Sequence, residues 1–362
     1  MATQPETINR IVHSDVRTLH AVEHIRRMRG GSQSHLMRCS DGNYYVVKFQ
    51  NNPQHRRVLV NELLGTSLAA CLGLPTTPIA VIDVREDLIL LTPDLYIEMP
   101  LSRMPCQPGL QFGSSYIGDP HHLSMLDFAS DKHILEANNL RDFAGMLVFD
   151  LWTSNTDSRQ VIFRRPNAGA PHQAWMIDQG FCFNTGEWTL ADTSRRSLYL
   201  PMAVYKQIVG IESFEPWLVL LESSLSERFL SDIASTIPAE WYEFDSAALR
   251  DLLERLNLRR YKVRELLYSM HEWSPKIFPN WVDCSSRLHK QKETKGEINY
   301  VAQTSSDTSA VLFPERSDSW EHAARTASKT PAHAPGRHHV RPGANKACGG
   351  GVTLSRPETR YT

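Results

Sequence analysis

No uninterrupted apolar run of 18 residues occurs anywhere in this 362-residue sequence, so a helical membrane span is not expected. CxxC pairs are also missing. The six cysteines, Cys39, Cys71, Cys106, Cys182, Cys284 and Cys348, are scattered, which argues against a zinc site or a disulfide framework and for a reducing, cytoplasmic setting. The opening MATQPETINRIVHSD has neither an apolar centre nor a small-residue cleavage site, so no secretory leader is expected. An excess of one charge is absent too: 39 Lys and Arg stand against 40 Asp and Glu. From Arg287 onward 12 basic residues face 7 acidic ones, about +5, which leaves about −6 for the remainder. Neither balance is that of a dedicated nucleic-acid binder, and direct nucleic-acid binding is not expected.

What is present is ordinary globular material, 41% hydrophobic and 22% charged, enough for one large or two modest domains. The last part is different. Residues 286–362 are rich in Ser, Thr, Pro, Gly and His with few clustered apolar residues, too little to offset the entropy of ordering, and are expected to form a disordered basic tail. The pairs His121–His122 and His338–His339 have metal-ligand chemistry, although isolated histidine pairs in loops are mostly solvated.

Along the chain, residues 16–29 suit a strand or a short helix. HLMRC, then SDGN, then YYVVKF reads as a β-hairpin with a turn between branched and aromatic strands. VLVNELLGTSLAACLGLP is helical by periodicity and stops at Gly73 and Pro75. AVIDV and DLILL read as further strands, and the Pro/Gly-rich residues beyond Pro105 as a loop. NLRDFAGMLVFDLWT is a helix, VIF and AWMID are short strands, and Pro201 to about 272 is helical, including the amphipathic stretch from Ser246 to Trp273. The expected architecture is α+β and two-lobed: residues 1–118 form a small mixed sheet lobe, and residues 119–285 a larger, mainly helical lobe. Ligands favour the cleft between such lobes.

Five features carry chemistry in order. Gly30, Gly31, Ser32, Gln33 and Ser34 precede a strand, where backbone N–H groups can approach phosphates, although Gly-Gly there is more often a plain turn. Lys48 ends an apolar strand, and Glu62 interrupts an apolar helix fourteen residues later; each alone reads as a snorkelling surface residue, together as a pair. The loop of FDLWTSNTDSRQVIF holds Asn155, Asp157 and Gln160. Asp178 leaves an apolar strand into an Asp-x-Gly turn, which suits a magnesium ligand. Taken singly, each aspartate is more often a cap. Gly-rich loop, Lys, Glu, Asp/Asn loop and Asp-x-Gly in that order point to phosphoryl transfer.

On RGGSQSHLMRCSDGNYYVVKF, NPQHRRVLVNELLGTSLAACLGLP, GLQFGSS, FDLWTSNTDSRQ, WMIDQGFCF, IPAEWY and LNLRRYKVRELL, the chain resembles the bacterial HipA-like kinases over roughly residues 15–280. The likeness is to the compact branch that lacks the extra N-terminal domain of the toxin. It implies a protein-kinase-like fold and an ATP- and magnesium-dependent Ser/Thr-type protein kinase. Lys48 would hold the α/β-phosphates, Glu62 would orient it, and Gly30 to Ser34 would cover the phosphates. Asp157 would be the catalytic base, and Asp178 a magnesium ligand with Gln160 or Asn155. Ser32 or Ser34 would be open to self-phosphorylation. An antitoxin-like partner belongs to the toxin branch, while the domain that usually engages one is not seen here.

One departure stands. In the wider kinase pattern a metal-binding Asn lies five residues after the catalytic Asp, but Ile162 occupies that place after Asp157. Gln160 can supply an amide oxygen from a shortened loop. Asp150 with Asn155 meets the spacing instead, although Asp150 lies amid Leu147, Val148, Phe149, Leu151 and Trp152. Two rival readings share the fold: a small-molecule kinase with a cationic substrate, and a nucleotide-binding pseudokinase acting as an interaction module.

Overall fold

Strands within residues 17–115 build a closed barrel. In the computed structural model, which describes residues 16–118, 120, 125–126, 130–167, 169–192 and 197–282, β1 is Arg17–Arg27, β2 His35–Cys39 and β3 Tyr44–Lys48. The β2–β3 hairpin forms where SDGN placed it. Gly42 adopts φ +82° there, which glycine reaches without a Cβ penalty. The Asp41 carboxylate accepts the Asn43 N–H at 3.0 Å. Helix α1, Val58–Cys71, follows, then β4, Ile79–Val84.

Two expectations fail here. DLILL is not a strand but most of a short helix, α2, Glu86–Leu91. Its first turn carries Glu86 and Asp87, and only Ile89 is buried, while Leu90 and Leu91 are 75% and 82% exposed. The apolar run therefore gave a strand-like composition without a strand's burial. After the hairpin β5, Tyr96–Met99, and β6, Ser102–Pro105, the presumed loop contains strand β7, Gly109–Ser115. Its glycines and glutamine hid it. Gly113 lies against Ile82, whose Cγ1 a Cβ would meet at 2.5 Å. Gln111 is fully buried, accepting the Gln50 N–H at 2.7 Å and donating to the Gln107 carbonyl at 2.8 Å.

The barrel order is β1-β2-β3-β7-β4. Neighbours are antiparallel except at the seam, where β4 pairs parallel with β1, Arg17 beside Ala80. Leu19, Met37, Val47, Ile82, Val84 and Ile97 form its apolar filling. A second, larger core joins α1 to the helical remainder.

That remainder starts with β8, Met125–Leu126, α3, Asp131–Leu135, and α4, Asp142–Thr153. Strands β9, Gln160–Arg164, and β10, Gln173–Ile177, form the expected hairpin, with β8 on its outer edge. Helices α5, Glu215–Ser224, and α6, Glu227–Ala234, follow. The amphipathic stretch beginning at Ser246 is two helices, α7, Ser246–Arg259, and α8, Val263–Trp273, divided by a tight turn at Arg260–Lys262. Helix α4 is the hub: Phe143 to Thr153 are all buried, and α1, α5, α7 and α8 touch it. The chain divides into two units, Met1–Val301 and Ala302–Thr362, and every described residue lies in the first. The expected tail and both histidine pairs fall outside the described residues.

Candidate active site

Lys48 is the last residue of β3, opposite Phe112 of β7. Its side chain is 8% exposed and shares its face of the strand with Val46, both reaching a cleft of about 860 Å³. Glu62 lies just over one turn into α1, where every residue but Ala70 is buried. The Lys48 ammonium donates to Glu62 Oε1 and, at 2.9 Å, to Asp178 Oδ1. Glu62 Oε2 accepts the Gln179 N–H at 3.0 Å. Residues 48, 62 and 178 thus meet as the sequence order suggested.

Their protonation follows from one cation shared by two carboxylates. Burial opposes the Lys48 ammonium, but Asp178 and Glu62 outweigh it and hold its pKa above the ordinary lysine value. Burial would also raise Asp178; Lys48 overrides it and holds that carboxyl below the usual range. Burial lifts Glu62, deeper in the protein, above that range despite Lys48. The proton held by this set belongs to the group of three.

The glycine-rich loop joins β1 to β2. Gly30 has φ +118° and Gln33 φ +47°, and the Gln33 N–H closes the turn on the Gly30 carbonyl at 3.2 Å. Ser32 and Ser34 line the cleft beneath Arg26, Arg27 and Arg29. Gln33 does not. Its amide clamps β5, accepting the Glu98 N–H at 2.6 Å and donating to the Glu98 carbonyl at 2.8 Å. Gly30 faces that same outer side, with Met99 and Pro100.

The loop after α4 separates two aspartates that spacing alone left open. Asp150 is fully buried. It takes Arg159 Nε at 2.9 Å, Arg159 Nη2, and Asn155 Nδ2 at 2.9 Å. Both oxygens are sealed from the cleft, which is no place for a base. Asn155 is buried as well, and bridges the loop: its Oδ1 accepts the Asp157 N–H at 3.1 Å. It does not reach the cleft lining. Asp157 is half-buried, accepts the Ser158 N–H at 2.8 Å, and is reached by the Gln160 amide at 3.4 Å. Ser158, Arg159 and Gln160 line the cleft.

Arg159 escaped the sequence reading. Besides Asp150 it donates to the Ile177 carbonyl at 2.9 Å, tying the Asp157 loop to the residue before Asp178. A basic residue two places after a candidate base was the available signal. Arg26, Arg27 and Arg29 were visible in IRRMRGG but passed over. Arg26 reaches the Tyr116 hydroxyl at 3.2 Å, and Arg27 lies 4.3 Å from the Tyr96 ring centre. The three arginines line the barrel side of the cleft, Arg27 also paired with Glu98 at 3.4 Å, and bring basic side chains suited to an anionic ligand.

Among the described residues no three His, Cys, Asp or Glu side chains converge as a metal cage. Asp157 is not itself among the residues lining the cleft and joins it through Ser158 and Gln160. The side-chain oxygens of Asp178, Glu62 and Gln160 that do line it are few and hard. They fit a cation whose remaining ligands are phosphate and water rather than protein. Among the same residues no helix is long and apolar enough to cross a membrane.

Residues 21–185 match the model of a family described as HipA-like kinase. That span contains the barrel strands from within β1, helix α1, the Asp157 loop and Asp178, so the α+β fold is protein-kinase-like, as the motif order suggested. Similar solved structures include a Helicobacter pylori proinflammatory kinase, CtkA, at 13% identity over 70% of this chain and 98% of that one, TM-score 0.46. Hydra Fam20 with sugar gives 11%, 78%, 99% and 0.44, and the Golgi casein kinase with Mn/ADP bound gives 12%, 73%, 76% and 0.40. No curated protein matches the sequence.

Proposed function

For a chain whose residues 21–185 match the HipA-like kinase family model, we propose that the cleft binds ATP with a divalent cation and passes the γ-phosphoryl group to a Ser/Thr hydroxyl of a protein. The observation that carries this reading is the buried Lys48–Glu62–Asp178 set at the wall of a cleft lined by arginines. Without ligand, Lys48 and Asp178 neutralise each other. A nucleotide polyphosphate would take Lys48, and magnesium would take Asp178, so the internal pair is exchanged for two outward ones. Gln160 lines the same cleft as Asp178 and would offer its amide oxygen as a further ligand. The cation would neutralise charge on the transferring phosphates.

The remaining work falls to the chain. Glu62 keeps Lys48 fixed, Ser32 and Ser34 of the glycine-rich loop face the phosphates, and Asp157 accepts the proton of the acceptor hydroxyl. The acceptor oxygen bonds to the γ-phosphorus as the bond to the β-phosphate oxygen breaks, and ADP leaves. Catalysis is then mostly positioning and charge compensation. A soluble setting, a bacterial toxin–antitoxin context and self-phosphorylation at Ser32 or Ser34 extend this reading through the family likeness.

The test uses purified full-length protein, γ-labelled ATP and magnesium, with a bacterial lysate as acceptor and mass-spectrometric site mapping. We expect labelled Ser or Thr in protein, with transfer reduced at least about 10³-fold in Asp157→Ala and Asp178→Ala proteins that remain folded. Full activity in both variants would sink the assignment. ATP binding without transfer would favour the interaction-module reading, for which Gln160 in place of asparagine is the supporting feature. Label found only in small molecules would favour the small-molecule kinase.

A further inference from the structure

Just beyond Asp178, three consecutive residues, Phe183, Asn184 and Thr185, have φ of 62°, 57° and 62°. None is glycine, and Thr185 is β-branched, so the turn sits where side chains are rarely tolerated. Such a backbone persists only when its surroundings over-determine it. The largest share of that falls to one side chain, which takes three of the segment's carbonyls. The carbonyls of Gly180, Cys182 and Thr185 converge on Asn61 Nδ2 at 2.9, 2.9 and 2.8 Å. Asn61 Oδ1 accepts the Trp188 indole N–H at 2.9 Å. Asn61 is fully buried and immediately precedes Glu62.

It is not alone on its face of α1 and the turn before it. The Arg57 guanidinium stacks 4.3 Å over the Trp188 ring and donates to the Gly186 carbonyl at 2.9 Å. At Gly65 a Cβ would meet Gln179 Cβ at 2.8 Å. Positions 57, 61, 62 and 65 fall at i, i+4, i+5 and i+8, one stripe of a helix, and that stripe grips residues 179–188. On its other side the segment pins the loop that carries Asp157. Phe183 N–H donates to the Thr153 carbonyl at 2.6 Å, Asn184 to Ser154 at 3.2 Å, and Thr156 to Phe181 at 3.1 Å.

We infer that Asn61 is a positioning residue for phosphoryl transfer: by holding the left-handed turn at 183–185 it fixes the Asp178 and Asp157 loops in register with Glu62. This rests on the function proposed above. Asn61 touches no substrate, and its effect reaches the chemistry through three other groups. In kinases generally, the Lys–Glu pair and the metal aspartate must be in place together, and the segment after the aspartate is often ordered by an added phosphate. Here a neutral amide performs that ordering in the unmodified chain.

The experiment compares the full chain with Asn61→Ala and Asn61→Asp, the latter keeping an acceptor for Trp188 but losing the donor. Asn139→Ala, whose side chain bridges Asp142 and the Ala174 carbonyl instead, is the control for lost stability. Backbone hydrogen exchange in residues 180–188 is expected to speed up by at least about tenfold in both Asn61 variants, with α4 unchanged. Turnover per folded molecule should fall about 10- to 100-fold with the KM for ATP within about threefold. Asn139→Ala should leave turnover unchanged. Unchanged exchange in 180–188, or unchanged turnover with faster exchange, overturns the inference. If the parent protein transfers no phosphate, the proposed function fails and exchange alone decides whether Asn61 holds the turn. Should Asn61→Ala not fold, Trp188→Phe removes the indole bond to Asn61 together with part of the ring beneath Arg57, leaves the Asn61 donor in place, and must shift exchange the same way.

Discussion

Asp150 and Arg159 show how a residue's surroundings decide its role. Spacing made Asp150 a candidate base, yet both partners are 1% exposed at their side chains and the carboxylate is fully engaged. The pair therefore fastens α4 to the loop that carries Asp157. Arg159→Met leaves a buried carboxylate without its cation and should cost about 3–5 kcal/mol, read as a lower denaturant midpoint. Asp150→Leu with Arg159→Met should recover part of that loss, because neither charge is then stranded. His35 offers a second residue-scale test. It is fully buried in the barrel, 3.1 Å from His24 and 3.6 Å from Cys106 Sγ. Burial, with His24 beside it, lowers its pKa from 6.5 to about 4. The folded state thus holds His35 neutral where the unfolded chain would bind a proton. Its contribution is complete above pH 6.5 and is lost as pH falls towards 4, roughly 3 kcal/mol in all. In His35→Phe, the slope of unfolding free energy against pH between those limits should flatten.

At the scale of elements, α4 is placed by a glycine. A Cβ at Gly145 would lie 2.4 Å from Trp217 ring atoms of α5, so the two helices meet at a distance only glycine permits. Gly145→Ala should destabilise by about 1–3 kcal/mol through overpacking, and the cost should shrink in a Trp217→Leu background, both read by chemical denaturation. Legibility followed the same logic. Helix α1 was readable because its apolar periodicity runs to stop signals at Gly73 and Pro75, and the β2–β3 hairpin because SDGN names its turn. Strand β7 was not, since Gly113 and Gln111 owe their places to Ile82 and to backbone partners far off in sequence. Helix α2 was misread because composition reports how apolar a run is, not which side is covered. Within the site, Lys48, Glu62 and Asp178 announced themselves as charges in apolar elements. Asn61 in VLVNELL carried the same signal more faintly, being uncharged, and Gln33 looked like part of a phosphate loop but braces β5.

For the whole molecule, the cleft is lined by barrel strands on one side and by the Asp157 loop, β9 and residues 199–201 on the other. A ligand there bridges both parts and should stabilise the fold as one unit. ATP with magnesium at about 100 times its Kd should add about 2.7 kcal/mol, seen as a raised melting temperature. Asp178→Asn should lose the magnesium-dependent share of that rise and keep the rest.

The parallel seam of the barrel has a consequence for the order of manufacture. Arg17 finds its partner at Ala80, and among the described residues β4 is the strand that covers this edge of β1. On the ribosome β1 must wait for β4 before that edge is covered, and long-range pairings of this kind are slow to form. The nascent barrel therefore spends its first moments as an open, sticky sheet. Translation speed across residues 28–84, and the chaperones present during it, should govern how much of the protein is recovered soluble.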